Sequence, residues 1–256
     1  MSLERVVSAL ELPASTRVDQ RVPKKLLTEH AAATAADKRQ IQDGVAEIQW
    51  LASLKPHLVG VPMFKDEHRE YVEIAVLSLA LKPGAKTVRL VELLHRAVPY
   101  PMLLITQSDA GVSLSLAHLR AAQNERDKVV LDGPVHTVAL DLEANATAPL
   151  AALSLSRQRR DDLRSLYESW IHTLQAFGIA YEVGQFRLSG SPEQAGERHE
   201  AANRVRALKQ QLAQRRAEAG KEKQLPRQVA LNVEIKRLQS EIQQQTARML
   251  GEANHG

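Results

Sequence analysis

Four cations crowd into nine residues near the start of the chain, Arg17, Arg21, Lys24 and Lys25, with Asp19 the one acid among them. Side chains of this type at this density can hold phosphates, each contact displacing counterions so that affinity falls with salt. They are the candidate nucleic-acid contacts; a solvated edge, or docking of this arm onto the body, is the competing structural reading. A second basic set, Arg204, Arg206, Arg215, Arg216, Lys221 and Lys223, is diluted by interspersed glutamates. That mixture suits a protein-binding helix face better than a nucleic-acid grip.

Constellations for covalent or metal chemistry are missing. With no cysteine, thiol nucleophiles, thiolate metal sites and disulfides are all excluded. No two of the nine histidines lie four apart, so a helical zinc pair has no candidate. Neither Gly-x-x-x-x-Gly-Lys nor Gly-x-Gly-x-x-Gly occurs to cradle phosphates, and no Gly-x-Ser-x-Gly elbow presents a serine. A metal-dependent nuclease commonly sets an acid and a lysine two apart on one strand face. Here the strand would end Ser78-Leu79-Ala80-Leu81-Lys82, so Ala80 stands where the carboxylate belongs, and Glu73 is nine residues from Lys82. No catalytic residue, metal ligand or cofactor is assigned. His95 and His172, on amphipathic helices, read as packing or surface residues, and Trp50, Tyr167 and Trp170, on or beside apolar stripes, as core anchors.

The elements that carry these residues alternate between helix and strand. Pro13 and Pro23 favour extended backbone before them, against a long helix in the arm. Ile41, Val45, Ile48 and Leu51 or Ala52 recur at three and four, predicting one helix over residues 35–54, ended by Lys55-Pro56. Residues 71–81 carry apolar side chains on both phases, as in a strand covered on both faces. Lys82-Pro83-Gly84 turns into a helix with Val88, Val91 and Leu94, which Thr87 would cap. Pro99 and Pro101 lead to a strand over residues 102–107, and Ser108-Asp109-Ala110-Gly111 is a hairpin loop into residues 112–119. Residues 129–131 and 135–142 join through Asp132-Gly133-Pro134 as a second hairpin. Residues 149–176 read as one long helix, with Asp161 and Asp162 paired to neighbouring arginines on a solvated face. Residues 177–188 read as a final strand. The fold class is α+β: a mixed, antiparallel-rich sheet packed with helices over residues 1–190.

Ser189-Gly190-Ser191-Pro192 is a linker into an extension over residues 191–256. There Ala201, Val205, Leu208 and Leu212 follow 4-3-4 spacing, and Leu231, Ile235, Leu238 and Ile242 repeat it. Gly220 and Pro226 interrupt between them, which predicts an antiparallel, coiled-coil-like hairpin with its turn near residues 220–225; one long kinked helix is the rival. Each half spans about two heptads and must pair with something to persist. Leu231, Ile235, Leu238 and Ile242 are the candidate partner-binding residues. The extension carries 12 Lys+Arg against 8 Asp+Glu and supplies all of the formal +4, the rest being balanced at 22 and 22.

The first fifteen residues make a poor secretory signal, and the longest apolar runs fall far short of the roughly 20 residues that cross a bilayer. A cytoplasmic protein without membrane association is expected. Asn145-Ala146-Thr147 matches a glycosylation acceptor by chance.

Several segments resemble an uncharacterised bacterial family, domain of unknown function 4391: Leu12-Pro13, Thr16-Arg17-Val18 and Arg21-Val22-Pro23-Lys24-Lys25, then Ile48-Gln49-Trp50-Leu51, then Ala97-Val98-Pro99-Tyr100-Pro101. The stretch from Lys221 to Leu238 is similar to that family's C-terminal part, with Pro226 departing from an expected polar residue. The resemblance implies no catalytic residues. It implies a genomic context beside helicase and DNA-methyltransferase genes, in regions devoted to defence against phage. The expected function is a non-enzymatic accessory subunit of such a DNA-restriction-like system, docking a larger helicase or methyltransferase through its C-terminal helices. A stand-alone nucleic-acid-binding module and a nuclease of unrecognised type are the alternatives; a homodimer is compatible with all three.

Overall fold

Residues 74–81 contain no charge, and in the computed structural model they form an inner strand of a six-stranded sheet. The structure describes residues 2–31, 34–122, 129–140 and 147–251. Contacts gather the chain into two units, Met1–Leu174 and Gln175–Gly256, dividing inside a helix; the 189–192 linker lies within the second unit.

In chain order the first unit contains α1 (Leu3–Ala9), β1 (Arg17–Arg21), α2 (Lys24–Ala31), α3 (Ala35–Gly44), β2 (Val45–Leu54) and α4 (Pro56–Val59). Next come β3 (Phe64–Lys65), β4 (Glu70–Tyr71), β5 (Ile74–Leu81), α5 (Thr87–Ala97), β6 (Met102–Ser108) and β7 (Gly111–Leu116). Then follow β8 (Leu119–Ala121), β9 (Val129–Leu131), β10 (His136–Ala139), α6 (Thr147–Ala151) and α7 (Leu163–Val183), which runs into the second unit. The second unit continues with α8 (Pro192–Lys221) and α9 (Leu225–Leu250).

The sheet order is β1-β2-β5-β6-β7-β10. Only β5 and β6 run parallel; every other neighbouring pair is antiparallel. The parallel pair needs a crossover, and α5 supplies it. Leu90, Val91 and Leu94 of α5 join Leu27, Ile41, Ile48, Leu77 and Leu104 in one buried cluster. α7 brings in Tyr167, whose hydroxyl donates to the Met102 carbonyl at 2.7 Å and accepts from the Ala117 amide at 3.0 Å. Trp170, fully buried three residues further along α7, donates to the Leu153 carbonyl at 2.9 Å.

Five local expectations are corrected. The single helix over residues 35–54 is α3 followed by strand β2. β2 pairs with β5 through two register shifts, between Val45 and Glu47 and between Trp50 and Ala52. Each extra residue resets the alternation, so Val45, Ile48 and Ala52 are buried at steps of three and four. A bulged strand thereby imitates a helix. Thr87 is the first residue of α5 and does not cap it; Lys86 precedes it with no side-chain cap. β9 pairs with β8 and β10 with β7, so residues 129–131 and 135–142 do not pair with each other over their described part; residues 141–142 lie outside it. The helix over 149–176 is broken after α6: Ser154 caps a short 3-10 turn, and Asp162 caps α7 by accepting from the Ser165 amide at 2.7 Å rather than facing an arginine along a helix. Residues 177–183 continue α7 instead of forming a strand. The match to a glycosylation acceptor falls on residues 145–146, outside the described residues.

Candidate docking surface

The arm's cations sit on an outer strand and the start of the next helix. All five residues of β1 are exposed. Its pairing slips between Arg17 and Gln20, where Asp19 adopts a left-handed φ of 49°, and such a bulge discourages further strand addition at an edge. Arg21 lies 3.5 Å from Glu47, Lys24 donates to the Val45 carbonyl, and Lys25 lies 3.7 Å from Glu29 on its own helix. Arg17 has no ion pair among the described residues. Three of the four candidate phosphate contacts are therefore already held by acceptors of the first unit.

A polar and aromatic cluster in the first unit was not legible in the sequence, because its members are up to 104 positions apart (64 to 168). The Tyr71 hydroxyl and His118 Nδ1 share a 2.5 Å hydrogen bond, and Tyr167 packs against both rings at centroid distances of 5.9 and 5.7 Å. Burial pushes the Tyr71 and Tyr167 hydroxyls up and keeps His118 neutral to lower pH than usual. Arg69 grips Asp132 through Nε at 2.7 Å and Nη2 at 2.5 Å. Arg164 reaches Glu168 at 3.1 Å and Asp66 at 3.9 Å, with its guanidinium 4.9 Å from the Phe64 ring centroid. Each carboxylate here has a guanidinium partner. Among the described residues no group of three His, Asp or Glu side chains is placed to hold a metal ion. The cluster ties the short β3–β4 and β8–β9 hairpins to the start of α7.

Two further features have a similar character. Buried Glu73 accepts from Ser53 Oγ at 2.6 Å and lies 3.7 Å from Lys55, so its lysine comes from the end of β2 and not from Lys82. At the start of α5 an open cavity of about 730 Å³ is lined by Arg39, Gln40, Asp43, Gly84 and Lys86. Asp43 lies on its wall 4.0 Å from Arg39 and offsets that cation.

The second unit is built differently. Ser191 caps α8 by accepting from the Gln194 amide at 3.2 Å, and a turn over residues 222–224 leads into α9 with Pro226 in its first turn, where proline costs no hydrogen bond. Arg204 meets Glu241 at 2.5 Å and Arg215 meets Glu234 at 3.1 Å. One residue number rises as the other falls, so the helices are antiparallel, as the sequence predicts. Val205 and Leu208 of α8 are buried, and Leu231, Ile235, Leu238 and Ile242 of α9 are half-buried, flanked by those ion pairs. At the far end Arg198 is buried without a carboxylate. It donates to the carbonyls of Met249 at 2.9 Å and Arg187 at 2.8 Å and to Ser189 Oγ at 3.0 Å. Burial lowers its pKa, and the negative end of α9 compensates the charge.

The candidate seam is thus partly occupied within the hairpin. The large apolar side chains that α9 leaves in solvent are others: Leu225, Val229 and Val233, 70%, 54% and 64% exposed. Counting for heptads passes over them, since they follow a plain step of four away from the 4-3-4 seam. A helical-wheel projection would have separated the two rows.

A family model for domain of unknown function 4391 matches residues 10–242. The chain belongs to that family. The match begins at the end of α1 and runs through most of α9, so the family's domain includes the sheet and the hairpin together. No curated protein and no solved structure matches the chain.

Proposed function

We propose that this member of domain of unknown function 4391 is a non-enzymatic accessory subunit, an adaptor that docks a larger protein through its C-terminal hairpin. We place the partner in the helicase or DNA-methyltransferase class, within a cytoplasmic bacterial system of defence against phage, the setting that the family resemblance implies. The observation that carries the reading is the hairpin: helices of 30 and 26 residues, about 45 and 39 Å long, that pair along one seam and still leave a row of large apolar side chains exposed on α9. In the body, by contrast, Asp37, Asp66, Asp132 and Glu168 are engaged with arginines of their own unit. No helix among the described residues is long and apolar enough to cross a membrane.

The test separates the hairpin from the rest. Replacing Ile235 and Leu238 together by Asp places two charges in the α8–α9 seam. Loss of the co-purifying partner, with the body's cooperative unfolding retained, is the expected result. A complex that survives an opened hairpin refutes the adaptor reading.

A further inference from the structure

α9 turns by about 100° per residue, so the row Leu225, Val229 and Val233 lies about 150° around the helix from Leu231, Ile235, Leu238 and Ile242. It is an outward face on the half of the hairpin nearest the turn. The charge around it is one-sided. Residues 211–240 hold seven Lys+Arg and three Asp+Glu, a net of +4, the same as the formal +4 of the whole chain. The three acids are engaged: Glu218 and Glu234 with Arg215, and Glu222 accepting from the Gln224 amide at 2.8 Å. Arg216, Lys221, Lys223, Arg227, Lys236 and Arg237 have no ion pair among the described residues.

We propose, on the basis of the adaptor reading above, that this outward row of α9 seats in an apolar groove with an acidic rim on the partner protein. Leu225, Val229 and Val233 would fill the groove, and Lys236 and Arg237 on the same side of α9, with Lys221 and Lys223 at the turn, would meet the rim. Steps of four along one helix are the spacing by which helices anchor in grooves. A nucleic-acid backbone satisfies the cations but leaves the apolar row unburied. A second copy of this chain would set one +4 surface against another, a repulsive arrangement. A protein groove that is apolar inside and acidic outside satisfies both features at once.

The experiment uses the full chain with a photo-crosslinking residue placed singly at Val229, at Gln243 further along α9, or at Arg39 in the body. The protein joined to the Val229 probe is identified, purified and titrated against Val229→Asp and against Lys221→Glu/Lys223→Glu/Lys236→Glu. The inference expects crosslinking from Val229, at least a hundredfold weaker binding for Val229→Asp and at least tenfold for the charge reversal. Reversing the acids of the partner's groove should restore binding to the charge-reversed chain. Circular dichroism of each variant should match the parent, since these positions are exposed. Crosslinking from Gln243 with no effect of either variant overturns the groove inference while the adaptor reading stands. Crosslinking from Arg39 alone overturns both. A nucleic acid or a second copy joined at Val229, or a captured protein whose affinity ignores the variants, also overturns the inference.

Discussion

In the body, Asp37, Asp66, Asp132 and Glu168 all lie against guanidinium groups of the same unit; in the hairpin, six cations around the turn and along α9 have no such partner among the described residues, and three large apolar side chains stand beside them in solvent. The first pattern lets charge pin short hairpins and loops to helices. The second leaves charge and apolar surface available to something else. The contrast teaches where to look: these four carboxylates serve the fold of the body, whereas the hairpin sets cations unpaired among the described residues beside an apolar row on one stretch of helix.

The comparison breaks first if the body is not held together as described. Trp170→Ala should cost about 3–5 kcal/mol, because the ring is fully buried and its N–H reaches the Leu153 carbonyl; the midpoint of denaturant unfolding measures it. Tyr167→Phe removes a hydroxyl shared by the Met102 and Ala117 backbones, and a loss of about 1–3 kcal/mol is expected by the same measurement.

Acid sharpens it. His95 is buried on Ser115 Oγ at 2.9 Å, and burial pushes its pKa from 6.5 down to about 3. The folded state therefore holds it neutral while the unfolded chain takes up the proton, so stability is complete above pH 6.5 and falls as pH drops toward 3. By pH 5 this group alone should cost about 2 kcal/mol. His95→Gln should flatten that slope in urea titrations at pH 7 and pH 5, and an unchanged slope would show that the group is not held neutral.

Smaller effects belong to the hairpin. Arg204 and Glu241 are half-exposed, and a double-mutant cycle should return about 0.2–1 kcal/mol. Val229→Asp should leave the unfolding midpoint almost unchanged, because Val229 is an exposed helix residue, and yet remove partner binding. A large loss of stability from Val229→Asp would mean that the outward row packs within the chain.

Much of this organisation was legible in residues 71–111 and 191–250. Uninterrupted apolar side chains marked β5 as an inner strand, prolines framed the entry to β6, and Gly220 with Pro226 located the turn between α8 and α9. The bulges of β2 hid a strand behind a helical spacing, and the Ser154 and Asp162 caps broke a helix that apolar counting ran together. Pairing of β8 with β9 and of β7 with β10 depends on contacts that no local pattern reports. The cluster of Tyr71, His118, Arg69, Asp132 and Arg164 was invisible for the same reason. The 4-3-4 seam is legible in the sequence; the outward row is not, because heptad spacing marks only one apolar stripe per helix.

Hydrogen exchange of the free chain, compared with the native complex isolated from the host, tests the central claim most directly. The account predicts added protection concentrated over residues 221–240, with exchange in the sheet unchanged. Protection confined to the body, with the hairpin exchanging as in the free chain, would contradict it.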